Sequence, residues 1–212
     1  MKITILTENL KGWIIPYIEK LIVELSYFHE IDHVYKISDI SKGDILFLLS
    51  CEKIIPAKYL LFYKNNIVIH PSNLPKGKGH SPLAWQILEG KKKIQISLFE
   101  ADEAVDSGKI YLTDYIELKG HELNDEIKHL QGLTTIRIIK RYLIKYNSLK
   151  GKSQSGSETF YQKRGSNDSE LSLDKTIEKQ FNLLRVVDND RYPAFFIRKG
   201  QKYILKIYKD KK

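Results

Sequence analysis

The stretch IVIHPSNLPKGKG, residues 67–79, decides the fold. Ile67 to Ile69 is a short run of β-branched apolar residues, the mark of a buried strand, and it delivers His70 to the strand's end. Pro71 and Ser72 break the pairing there, and a glycine-rich basic loop begins. In open α/β sheets, reacting groups collect in the crevice outside the carboxyl ends of the strands. Downstream, Ser81 stands where a helix cap belongs, Pro82 takes the first helical position and Gly90 ends the helix.

Working outward, KITILT at 2–7 reads as a first strand, and residues 12–28 suit an amphipathic helix with Pro16 near its start. A second strand is expected at 33–37. DILFLLS at 44–50 is a continuous apolar run, as in parallel strands buried on both faces. Residues 59–63 read as the end of a short helix, and Asn65 and Asn66 as the turn into the His70 strand. Residues 94–99 and 109–117 are two further strands flanking a turn at Asp106. Between 122 and 149, Ile127, Leu130, Leu133, Ile136 and Tyr142 fall at helical spacing, with Gly132 a place to bend. The alternation gives a Rossmann-like, doubly wound, mostly parallel α/β sheet for residues 1–150. GKSQSGS at 151–157 reads as a loop or linker into a small C-terminal α+β extension, residues 151–212. That extension has a helix at 173–187 and a hairpin turning at Lys199-Gly200.

The net charge of +9 invites a polyanion or a phosphate-bearing small substrate, although solvated lysine faces and a basic tail, Lys209–Lys212, account for it equally well. Cys51 is the only cysteine, so no internal disulfide is possible and a reducing compartment fits. No run reaches the roughly 18 apolar residues of a membrane span. The start meets Glu8 too early for a signal peptide, so a cytoplasmic enzyme or binding protein is expected. His29, His33, His121 and His129 lack metal-ligand spacing with a carboxylate, and no zinc site is expected.

HPSNLP-KGKG-SPLAWQILEG resembles the His-x-Ser-Leu-Leu-Pro signature of the folate-dependent formyltransferases, which act on methionyl-tRNA, glycinamide ribonucleotide and sugar amines. ISLFEADEAVDSG, residues 96–108, is similar to the second half of that pattern, which ends in Leu-Asp-Thr-Gly. CEKIIP at 51–56 is a weaker match. FYQKRGSNDSELSL and RYPAFF are similar to the segment after the catalytic domain in sugar-amine formyltransferases. The resemblance implies 10-formyltetrahydrofolate as cofactor. Its pterin would lie between Ser50, Cys51 and Ile54 on one side and Phe99, Glu100, Ala101 and Asp102 on the other.

Moving a formyl group to an amine passes through a tetrahedral centre bearing an oxyanion, and so needs a donor aimed at that oxygen and a base for the amine proton. A lone histidine at a strand end is most often structural. With both segments of the resemblance present, His70 is expected as the donor, when protonated, and Asp106 as the base that also holds its charge. Where the family has an asparagine two residues before the histidine, this chain has Val68, which donates nothing. Asn73, in the turn, is the expected replacement. KGKG lacks P-loop spacing and reads as a close-approach turn.

For the acceptor, the resemblance implies a nucleotide-linked amino sugar of the 4-amino-4,6-dideoxy type, with Ser72, Lys76, Lys78, Tyr161 and Arg164 on its side. The roughly 60 residues after Gly151 read as too few for the C-terminal barrel of a methionyl-tRNA enzyme. Nucleic acid and membrane are not expected partners, and a homodimer stays open. The alternatives are transfer to glycinamide ribonucleotide or methionyl-tRNA, or a non-catalytic folate- or nucleotide-binding protein.

Overall fold

The structure, a computed structural model, describes residues 1–102 and 104–210. Lys211 and Lys212 of the expected basic tail lie outside them. A six-stranded sheet is ordered β2-β1-β3-β4-β6-β7, formed by β1 (Lys2–Leu6), β2 (Glu30–Val34), β3 (Ile45–Leu48), β4 (Asn65–His70), β6 (Lys93–Glu100) and β7 (Ile110–Glu117). The first four strands run parallel, and β6 and β7 run antiparallel to their neighbours. The sheet is therefore mixed but mostly parallel, as the alternating pattern implies.

Central strands bury both faces. Ile3, Ile5, Ile45 and Phe47 face one core with α1 (Ile15–Leu25) and α4 (Asn124–Lys145), while Leu6, Leu46 and Leu48 face another with Ile55 and Tyr63 beside α2 (Ala57–Leu60). This alternation along each strand is the side-chain period of two. α4 runs unbroken through Gly132, where an added Cβ would stand 2.8 Å from the Tyr17 ring. That glycine serves the close approach of α1 rather than a bend.

Two expectations are corrected here. The second strand lies at Glu30–Val34 instead of 33–37, and Ile37–Asp39 is a 3₁₀ turn. Asn65 and Asn66 belong to β4 and are not a turn: they pair in register with Ile45 and Leu46 of β3, and Glu100 takes Asn65 Nδ2 at 2.8 Å and the Asn66 backbone N–H at 2.5 Å. A third concerns α3 (Pro82–Leu88): Ser81 stands at its N-terminus, but at φ 53° it makes no capping hydrogen bond.

The C-terminal extension packs onto the sheet domain. α5 (Ile177–Val186) contributes Val186 to the main core, and β9 (Ala194–Arg198) and β10 (Gln201–Leu205) form the hairpin over Lys199 and Gly200, both at positive φ. Among the described residues, no helix is long and apolar enough to cross a membrane.

Arg185 of α5 is almost fully buried and donates to the Glu122 carboxylate at 3.1 Å and to its carbonyl at 3.0 Å. Burial alone would raise the Glu122 carboxyl, but the Lys119 and Gly120 N–H groups, 2.6 and 2.9 Å away, help hold it down at about 2. A depressed carboxyl stabilises the fold fully above its unfolded value, 4.5, and that contribution is lost as pH falls through about 2. Arg185→Met, which strands the buried carboxylate, is expected to cost about 3 kcal/mol in urea unfolding. Melting of Glu122→Gln is expected to depend less on pH than wild type between about 4.5 and about 2.

Candidate active site

β4 ends at His70, and the β6–β7 connection carries Asp106 back over that end. The two side chains are about nine-tenths buried, with His70 Nδ1 3.8 Å from Asp106 Oδ2. Both line a cavity of about 600 Å³.

The KGKG turn fixes each partner. His70 Nε2 donates to the Gly77 carbonyl at 2.8 Å, so the neutral ring keeps its proton there and turns the Nδ1 lone pair toward Asp106. The Gly79 N–H donates to Asp106 Oδ2 at 2.9 Å. Gly79 sits at φ +90°, and an added Cβ would stand 2.5 Å from the Tyr161 carbonyl oxygen, so the loop is a close-approach turn that only glycine fits. Asp106 itself is at φ 52°, a region that Asp and Asn tolerate better than other side chains. Gly108 is required for a separate reason: its Cβ would fall 1.9 Å from the Glu100 carbonyl oxygen.

Ser50, Cys51 and Ile54 line one side of the cavity, with Phe99, Ala101 and Asp102 on another and Val68 beside His70. Burial first, then the charge of Glu8, pushes the Cys51 thiol up to about 12, so it stays protonated and supplies no nucleophile. Glu100 is corrected. It faces away from the cavity and accepts from Asn65, from the Asn66 backbone and from Tyr111 OH at 2.9 Å, an internal brace joining β4, β6 and β7.

The structure does not bring Asn73 to the cavity. The residue is exposed in the turn, so it does not take the place that Val68 leaves without a donor. Lys76 is likewise exposed outside the cavity, and Ser72 is buried behind it, its carbonyl accepting from Ser97 Oγ. Lys78 is 1% exposed and bonds Ser107 and Glu158. Tyr161 donates to Glu89 and stacks on Trp85.

Arg164 does line the cavity. It stacks over Trp85, donates to the Asp168 carbonyl at 2.8 Å and leaves a buried Nε unpartnered. Sequence reasoning missed Arg191 and Lys128, which also line it, as does His80, whose place before the helix reads as packing or helix entry. Lys128 is paired with Asp188, whereas Arg164 and Arg191 make no ion pair among the described residues. The only signal for Arg191 is its place in RYPAFF.

The geometry is thus an imidazole and a carboxylate sharing a cavity, with Arg164 and Arg191 on its wall. Residues 29–131 match the family described as "Formyl transferase". Over these residues the chain is similar to formyl transferases. It is 26% identical over 163 residues to the methionyl-tRNA formyltransferase of Mycoplasma capricolum subsp. capricolum, covering 74% of this chain and 51% of that relative. The chain thus spans about half the length of the sequence relatives it matches first.

Among solved structures, the methionyl-tRNA formyltransferase from Clostridium thermocellum superposes with a TM-score of 0.85 at 23% identity, over 100% of this chain and 94% of that one. A sugar N-formyltransferase from Shewanella superposes at 0.75 with 16% identity, over 99% and 98%. At these identities the superpositions speak for the formyltransferase fold. His70 and Asp106 lie at the ends of the two segments whose spelling resembles the formyltransferases.

Proposed function

We propose that this protein transfers the formyl group of 10-formyltetrahydrofolate to the amine of a nucleotide-linked amino sugar. The observation that carries the reading is the pairing of His70 Nδ1 with Asp106 Oδ2 across 3.8 Å at the wall of a cavity large enough for a folded-in ligand. Walls that mix Leu48, Val68 and Phe99 with Ser50 and Asp102 suit a ring system that is apolar on its faces and polar at its edge. The folate, when bound, supplies an activated one-carbon group. His70, protonated at Nδ1 as well, donates to the oxygen that becomes negative as the amine attacks, and Asp106 stabilises that cation and receives the amine proton. Gly77 and Gly79 hold both groups from behind, so neither must reorganise during the reaction.

Arg164 and Arg191 favour a phosphorylated acceptor. A guanidinium on a cavity wall that makes no ion pair among the described residues is suited to bind phosphate in two-pronged fashion. Methionyl-tRNA is the second reading, favoured by the names of the sequence relatives.

The test is to incubate the protein with 10-formyltetrahydrofolate and, separately, amino-sugar nucleotides, glycinamide ribonucleotide and methionyl-tRNA, following tetrahydrofolate release. Release with an amino-sugar nucleotide alone is the expected result. Release only with methionyl-tRNA or glycinamide ribonucleotide moves the acceptor, and release with none favours a binding protein.

A further inference from the structure

The segment after α4 has the composition of a linker, yet it is threaded across both reacting elements. Gln154 Nε2 donates to the carbonyls of Asp106 and Gly108, each at 2.9 Å. Thr159 accepts from the Gly77 N–H through its hydroxyl at 2.8 Å and from the Lys78 N–H through its carbonyl at 2.9 Å. Two short strands, β5 (Lys78–Gly79) and β8 (Phe160–Tyr161), then pair in parallel, and the His80 N–H reaches the Tyr161 carbonyl at 3.0 Å.

Lys78 is at the centre of this strap. Its ammonium donates to Ser107 Oγ at 2.7 Å and to Glu158 Oε1 at 2.5 Å. Its chain neighbours are Gly77, whose carbonyl holds His70, and Gly79, whose N–H holds Asp106, while Ser107 is the residue after Asp106. One buried side chain therefore ties the turn behind His70, the turn of Asp106 and the strap together. A buried ammonium is costly unless paired, so the positions of Ser107 and Glu158 dictate where Lys78 lies. Asp106 at φ 52° needs such support: a strained residue persists only where its surroundings over-determine it. Gln154 on its carbonyl, Gly79 on its carboxylate and Lys78 on the next hydroxyl supply that.

We propose that Lys78 is a positioning residue: with the strap at 154–161 it clamps the two turns and so sets the separation of His70 and Asp106. The proposal rests on the reading of that pair as the reacting centre. Misplacement of a reacting group by about 1 Å can cost a hundredfold in rate, so the clamp belongs to kcat and not to ligand affinity.

The test compares Lys78→Met, Lys78→Arg and Gln154→Ala with wild type by steady-state kinetics and by the imidazole ¹⁵N NMR shifts of His70. Lys78→Met keeps the apolar stem and leaves Glu158, whose side chain is 52% exposed, free to be hydrated. It is expected to lose kcat by about a hundredfold with KM for both substrates little changed, and Lys78→Arg to recover much of the loss. The neutral His70 ring is expected to carry its proton at Nε2 in wild type and to become a mixture of tautomers in Lys78→Met.

A folded Lys78→Met with wild-type kcat overturns the proposal. If the wild type transfers no formyl group, the functional reading fails separately, and unchanged His70 shifts in Lys78→Met still overturn the clamp. Should Lys78→Met not fold, Gln154→Ala, a substitution at a half-buried loop position, carries the same two expectations and is decisive in the same way.

Discussion

Asp106→Asn is expected to slow formyl transfer by roughly a thousandfold with the fold intact, the scale of losing a positioned general base. The substitution is clean for structural reasons. Asparagine tolerates the positive φ of 52° as well as aspartate does, and its amide oxygen still accepts from the Gly79 N–H. What disappears is the charge that stabilises a protonated His70 and the site that receives the amine proton. The check is single-turnover transfer under saturating donor, with melting temperature as the control. A variant that keeps more than about a tenth of the wild-type rate removes Asp106 from the chemistry.

His70 carries the second large effect, and two substitutions separate its two nitrogens. His70→Gln places an amide nitrogen near the Nε2 position, where it can keep donating to the Gly77 carbonyl, but leaves nothing where Nδ1 faces Asp106. It is expected to fold and to lose about a hundred- to a thousandfold in rate, the typical loss for one oxyanion donor. His70→Asn instead offers its amide near the Nδ1 position and is expected to retain more activity than His70→Gln. A His70→Gln more active than His70→Asn would mean that the imidazole acts through its bond to Gly77 alone.

Much of this site is legible in the sequence, because the information is local. Ile67–Ile69 announces a strand, Pro71 ends it, and the histidine between them falls at the sheet's rim. Asp106 is legible because a carboxylate in a Ser-Gly turn has few structural uses, and the required Gly108 marks a turn under close backbone contact. Several of the errors share a cause, a partner far away in the chain. Asn65 and Asn66 are turn formers by local chemistry, and pairing with β3 together with the Glu100 carboxylate of neighbouring β6 makes them strand residues. Lys78 looks like a free cation in a basic loop until Glu158, 80 residues on, encloses it. The pairing of β5 with β8 joins two residues to two, with no periodicity for a sequence pattern to reveal. Asn73 failed differently: residues 71, 72, 74 and 75 are all buried, which leaves its side chain on the outside of the turn.

The most direct test follows the one-carbon unit itself. With the formyl carbon of 10-formyltetrahydrofolate isotopically labelled, wild-type protein and an amino-sugar nucleotide are mixed and the products separated. The expected result is label on the acceptor's amine nitrogen, absent when Asp106→Asn replaces wild type over the same time. Label that stays on the folate with every amine offered, or leaves it only as free formate, would contradict the account.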